Sequence, residues 1–280
     1  MTLLLVGLLG FAGTTQSMLR NDKKTFAAQT SGSTALNNAK PLTDTPEFEN
    51  IVDLQPVLDK WNSDHPGQKW AVVAKSVTGP SFDAKLNPDQ QFESASIYKL
   101  FLTLPLFYQI PLEQQPNIKM NVAGSQKSIA TCVDLMLRLS NNECGEAIGQ
   151  YINWKKADDV LKKGGFNHTV FSQKGGLKTS AGDTAAFLSS LNDDMFTRNA
   201  KDTIMKSLYQ QRYRDGIPAG CPGCTVANKT GQIDDVVHDA ALVQYKGGSY
   251  ILVIFSQNGN FKQISQLTGQ IQQKILDSTK

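Results

Sequence analysis

The chain has 280 residues, 40% of them hydrophobic and 19% charged, the balance of a folded globular protein rather than a disordered one. That length builds one large α/β domain with a substantial core, or two small domains. The net charge is only +3 and the lysines and arginines are scattered, so no nucleic-acid partner is expected.

Residues 1 to 20 open on an apolar run, Leu3 to Ala12, too short to span a bilayer but of the length of a signal-peptide core. No basic residue precedes it and no clean Ala-x-Ala site follows. It reads as the remnant of an export signal or membrane anchor, with residues 21–45 as a flexible tether. The folded domain is expected to span residues 46–280. Over residues 47 to 62, Phe48, Ile51, Val52, Leu54, Val57, Leu58 and Trp61 recur at helical spacing. Trp70 to Val77 reads as a strand closed by Gly79-Pro80, and Phe82 to Leu86 as its hairpin partner.

Ser96 to Gln109 predicts a buried helix that kinks or ends near Pro105. Further helices are expected at Ile129 to Leu139, Glu143 to Tyr151, Trp154 to Lys163, Ser180 to Leu191 and Asp194 to Tyr209. The period then changes. Thr225 to Lys229, Val236 to Tyr245 and Tyr250 to Phe255 read as strands, with Gly247-Gly248 as a hairpin turn, and Phe261 to Leu276 as a closing amphipathic helix. This order predicts an α/β (α+β) sandwich. An antiparallel sheet of about five strands, drawn from both chain ends, is flanked by helices, with an all-helical subdomain inserted over roughly residues 105–200.

The four cysteines are Cys132, Cys144, Cys221 and Cys224, an even count that fits disulfides in an oxidising compartment. Cys221-Pro-Gly-Cys224 is a lone C-x-x-C in a Gly/Pro turn before a strand. It lacks the setting of a redox helix N-terminus, and a small structural disulfide is the preferred reading. The only histidines are His65, His168 and His238, too few and too dispersed for a zinc site, so no metal or other cofactor is expected.

Three short motifs occur in order. In Ser96-Ile97-Tyr98-Lys99 the spacing of three puts Lys99 on the helix face of Ser96. A serine at a helix start gains from the N-terminal dipole, and burial beside a second cation would lower the pKa of Lys99 enough to make it a base. Ser140-Asn141-Asn142 falls between two helices, and Lys229-Thr230-Gly231 on a strand, where glycine lets a ligand approach the backbone. Composition alone yields S-x-x-K roughly once in a chain this long, and K-T-G in roughly one chain in ten to fifteen. The ordered set carries the signal, against the plainer reading of Ser96 as a helix N-cap.

With Phe92-Glu93-Ser94-Ala95 before the serine, Asn228 before K-T-G and His238-Asp239 in the next strand, the chain from about Pro46 onward resembles the class A β-lactamase and penicillin-binding protein superfamily, whose signature is S-x-x-K, S-D-N and K-T-G. The resemblance implies an antiparallel sheet with an inserted helical subdomain. It implies Ser96 as the acylated nucleophile, Lys99 as its proton acceptor and Ser140 as the shuttle to the departing nitrogen. Asn142 would hold the substrate amide and Lys99, Lys229 would supply positive potential, and Thr230 would bind a substrate carboxylate. Gly231 leads to Gln232, whose N–H, with that of Ser96, would form an oxyanion hole. The implied substrates are β-lactams or D-alanyl peptides of the cell wall, handled by a monomer outside the cytoplasm, secreted or membrane-anchored.

Two departures from the pattern matter. Asn141 stands where the family has aspartate. No glutamate follows Glu146, so the glutamate that activates the deacylating water in class A β-lactamases has no counterpart, and the corresponding stretch, Gly175 to Asp183, offers only Asp183. Slow deacylation of penicillins is therefore expected, which makes a D,D-peptidase or other amidase or esterase the alternative; a non-catalytic cell-wall or β-lactam-sensing module that kept the fold is a reading of another class. Cys132 and Cys144 flank the Ser140 turn. They are either core thiols or a disulfide pinning the two helices, the latter preferred provided their Cα atoms lie within about 7 Å.

Overall fold

Alternation along one strand organises the molecule. In the computed structural model, which describes residues 51–171 and 176–278, α1 (Gln55–Asp64) precedes β1 (Lys69–Thr78). Five consecutive β1 residues, Trp70 to Ala74, are buried, because helices cover both faces of the strand. Ala71 and Val73 enter one core with the central helices; Trp70, Val72 and Ala74 enter another with the first and last helices. The period of two in a strand sends alternate side chains to opposite faces, so one sheet divides two cores.

After β1 come β2 (Asp83–Leu86), β3 (Gln91–Glu93), a 3-10 turn at Ala95–Ile97, α2 (Tyr98–Phe101) and α3 (Thr103–Gln109). The expected single helix over Ser96 to Gln109 is thus broken into three pieces, and Pro105 sits inside the first turn of α3, where its missing N–H costs no bond. Next come β4 (Lys119–Val122), β5 (Ser125–Ser128), α4 (Ile129–Arg138), α5 (Asn142–Ile152), α6 (Trp154–Lys163), β6 (Lys178–Ser180), α7 (Ala181–Ser190), α8 (Arg198–Tyr209) and α9 (Ile217–Gly220). The chain closes with β7 (Thr225–Ile233), β8 (Val236–Tyr245), β9 (Gly248–Gln257) and α10 (Phe261–Asp277).

The five-stranded sheet is antiparallel in the order β2-β1-β9-β8-β7, built from the two chain ends as the pattern predicts. Residues 47–50, at the start of the expected first helix, lie outside the described residues. Ile51 instead bridges Ser81, the Val52 N–H donates to Ser81 O, and α1 begins only at Gln55, with Pro56 in its first turn. The intervening region is not wholly helical. β4 and β5 form a hairpin, and β3 pairs with β6. The expected leader and tether, residues 1–45, also lie outside the described residues. Among the described residues no helix is long and apolar enough to cross a membrane. Cys132 is bonded to Cys144, with Cα atoms 4.9 Å apart, and Cys221 to Cys224.

Candidate active site

Strand β3 delivers the chain to Ser96. Ser94 N donates to Leu177 O (2.7 Å) and Ile97 N to Ser94 O (2.9 Å), while Ala95 adopts a left-handed φ of 43°. The turn passes directly into α2, which places Lys99 one turn on. Lys99 is fully buried, and each of its three ammonium protons has a partner: Ser96 Oγ at 2.9 Å, Ser140 O at 2.7 Å and Asn142 Oδ1 at 2.6 Å. Burial pulls its pKa down to about 8, with the Glu143 carboxylate opposing. Gly145 on α5 makes this possible, since a Cβ there would lie 3.1 Å from Lys99 Cε and 2.6 Å from the Tyr98 hydroxyl oxygen.

Ser140 lies between α4 and α5 in the left-handed region, with φ 58°. That conformation is uncommon for a side chain with a Cβ and costs about 1 kcal/mol or more. Here it turns the carbonyl of Ser140 toward Lys99 and its hydroxyl toward Lys229, whose Nζ donates to Ser140 Oγ (2.8 Å) and to Thr230 O (2.6 Å). Lys229 is fully buried; burial first, and the charge of Lys99 second, hold its pKa well below the usual lysine range, with Asp239 opposing. Asn141, in the family's aspartate position, is the N-cap of α5: its Oδ1 accepts from Cys144 N at 2.8 Å. Asparagine and aspartate cap equally well, which explains why this departure leaves the turn intact.

Behind Lys229 sits a buried polar network. Asp239 accepts from Asn228 Nδ2 (2.9 Å) and from Ile217 N (2.8 Å), and burial raises its pKa to about 7. Arg214 donates to Asn228 Oδ1 (2.7 Å) and Val226 O (2.8 Å). His238 bonds Glu93 O through Nε2 (2.8 Å) and accepts from Ser256 N through Nδ1 (3.3 Å); burial lowers its pKa to about 4, so it is a neutral structural imidazole as the sequence suggests.

A cavity of about 240 Å³ opens over these groups, lined by Ser96, Ser140, Asn142, Tyr213, Thr230, Gln232 and Phe261. The geometry thus brings together Ser96, Lys99, Ser140, Asn142, Lys229, Thr230 and Gln232. Gly231 lies between the last two in β7, packed so closely on the serine turn that a Cβ would be 3.1 Å from both Ala95 Cβ and Ile97 Cγ1. β7 is the sheet's edge strand, so one row of its N–H groups is free of β8 and available to a ligand. Tyr213 and Phe261 carried no signal in the sequence, because neither belongs to a motif and both come from segments distant from the three that do.

Among the described residues no carboxylate lines the cavity. Asp183 is taken up elsewhere: it stands in the first turn of α7, and its Oδ2 accepts from His168 N (2.8 Å) and Thr169 Oγ1 (2.7 Å). Residues 172–175 are outside the described residues, and none of the four is acidic. Among the described residues there is no cluster of metal-ligating side chains.

A sheet built from both chain ends, helices on its faces, and the three motifs meeting at one cavity define the serine β-lactamase and penicillin-binding protein superfamily. The beta-lactamase enzyme family matches residues 53–279, and the chain belongs to that family. No curated protein sequence matches it. Among solved structures, PBP-A shares 20% identity and a TM-score of 0.71, covering 87% of this chain and 100% of its own. A mutant of PBP-A, in an acyl-enzyme complex with penicillin G, gives 20% and 0.71, covering 80% and 96%. A β-lactamase from Sphaerobacter thermophilus DSM 20745 gives 17% and 0.70, covering 82% and 98%. At these identities the likeness is one of fold.

Proposed function

We propose that the protein is a serine hydrolase that becomes acylated at Ser96 by β-lactams or D-alanyl peptides and releases the acyl group slowly. The observation that carries this reading is the 2.9 Å contact between Lys99 Nζ and Ser96 Oγ, in a buried site that makes the neutral amine accessible near neutral pH. Neutral Lys99 takes the hydroxyl proton as Oγ attacks the carbonyl carbon. The oxyanion is met by the N–H groups of Ser96 and Gln232, each worth about 3 kcal/mol in such a site. The C–N bond breaks while Ser140, held by Lys229, protonates the departing nitrogen; in net terms the Ser96 proton ends on that nitrogen. Asn142 orients Lys99 and the substrate amide, and Thr230 with Lys229 receives the substrate carboxylate.

Slow release is supported by the cavity's lining, which among the described residues holds no carboxylate to activate water, and this favours a peptidase-like enzyme over an efficient β-lactamase. Two disulfides support an extracytoplasmic location, as does the cell-wall substrate class. Incubation with penicillin G, followed by intact mass, tests the reading. A covalent adduct of penicillin mass that lasts minutes, and is lost in Ser96→Ala, is expected. Rapid turnover without an adduct would overturn slow deacylation. Identical behaviour of wild type and Ser96→Ala on every acyl donor would leave only a non-catalytic binding module.

A further inference from the structure

Among the described residues, five of the seven side chains lining the cavity are polar, and Tyr213 and Phe261 supply the apolar remainder. The two rings arrive from separate places, Tyr213 from the segment between α8 and α9, Phe261 from the first turn of α10. Tyr213 is 44% exposed, a large ring half open to solvent at the mouth of the cavity.

The segment bearing Tyr213 is fastened by groups of α4, β7 and β8. Tyr213 N donates to Gln211 Oε1 (3.2 Å), and the Gln211 amide in turn donates to Leu137 O (2.7 Å). Tyr213 O accepts from Asn228 Nδ2 (3.2 Å), and Asn228 is the residue before Lys229. Arg214 reaches inward to Asn228 and Val226, and Ile217 N is held by the buried carboxylate of Asp239. Gly216 permits that closure, since a Cβ there would lie 2.4 Å from Asp239 Oδ2. Five of these six bonds run to β7 and β8 or to the end of α4, so the backbone that carries the ring is fixed relative to Ser140 and Thr230 rather than left as a free loop. A rigid, half-open aromatic beside a polar reaction centre is a surface for a flat apolar group.

We infer that Tyr213 is a specificity-determining residue, which with Phe261 selects acyl donors carrying an aromatic or bulky apolar group close to the reacting carbonyl. This deepens the acylation reading and names its substrate class. The ring acts by stacking and by excluding water, so its hydroxyl is dispensable.

The test separates recognition from chemistry by measuring noncovalent binding in the Ser96→Ala protein. Calorimetry with benzylpenicillin and with 6-aminopenicillanic acid, which lacks the phenylacetyl group, gives two dissociation constants. Adding Tyr213→Ala is expected to weaken benzylpenicillin by about tenfold, with 6-aminopenicillanic acid changed by less than about twofold. Tyr213→Phe is expected to keep both within about twofold of the parent. Equal weakening of the two ligands, no weakening of either, or a loss in Tyr213→Phe as large as in Tyr213→Ala would overturn the inference. Failure of the acylation reading shows separately, as a wild-type protein that discriminates the ligands in this way yet forms no adduct.

Discussion

Lys99 and Lys229 hold the same serine from opposite ends: Lys99 Nζ is bonded to the carbonyl oxygen of Ser140 and Lys229 Nζ to its hydroxyl. Two buried ammonium groups thus share one residue, and the charge of Lys99 helps to depress the pKa of Lys229. Burial is the largest cause of the lowered pKa of each, and for Lys99 it is burial that makes the amine serviceable as a base.

The pH profile of acylation follows from that. Lys99 acts when neutral, and its pKa is lowered to about 8. The second-order rate of penicillin acylation should therefore rise about tenfold per pH unit below that value and level off above it. Stopped-flow or quenched mass measurements from pH 6 to pH 9 check this. A rate independent of pH across that range would remove Lys99 as the base.

Gly145 should be a covert requirement of the site. Gly145→Ala brings a methyl group to 3.1 Å from Lys99 Cε and 2.6 Å from the Tyr98 hydroxyl oxygen, so one of them must move. Overpacking of this kind costs about 1–3 kcal/mol, and displacement of the lysine is expected to slow acylation at least about tenfold. Thermal melting and adduct kinetics on the same preparation measure both. An unchanged rate would mean that Tyr98 alone yields.

The disulfide Cys132–Cys144 joins α4 to α5 across the Ser140 turn. It closes a short loop, for which chain-entropy arguments give about 3 kcal/mol. The Cys132→Ser/Cys144→Ser protein should melt several degrees lower, and its acylation should slow because Ser140 loses its anchor on both sides. Cys221→Ser/Cys224→Ser, remote from that turn, should leave acylation within about twofold of wild type. Equal kinetic losses from the two pairs would argue against a special role for the first.

How far the sequence reaches is clearest where it fails. The long strands, the sheet drawn from both ends and the meeting of the three motifs follow from apolar alternation and from motif order. The β4–β5 hairpin was hidden because its turn uses Ala123 at φ 50° before Gly124, and because β5, Ser125 to Ser128, contains no apolar residue. The β3–β6 pair is three residues long, below the length at which a period of two can be read. Ile51, Val52 and Leu54 continue the helical stripe ahead of α1, although the helix begins only at Gln55, with Pro56 in its first turn. At the site, residues inside motifs were legible. Tyr213, whose backbone is held by Gln211 of its own segment and by Asn228 of β7, is set by tertiary packing.

His238 and Asp239 are adjacent, fully buried and pushed in opposite directions, and this gives a stability prediction. The pKa of His238 falls from 6.5 to about 4 on folding, so between those values the unfolded chain binds more protons and stability drops as pH falls. The pKa of Asp239 rises from 3.8 to about 7, so over that window the folded chain binds more protons and stability drops as pH rises. From pH 4 to 6.5 the two slopes, each up to about 1.4 kcal/mol per pH unit, oppose one another. Asp239→Asn removes the second and keeps one acceptor oxygen for the two donors, Asn228 Nδ2 and Ile217 N, so overall stability falls while the pH slope reports the carboxyl group. Compared with wild type, its denaturation midpoint should climb more steeply with pH from 4 to 6.5. Parallel wild-type and variant curves over that range would show that Asp239 folds with its carboxylate already ionised.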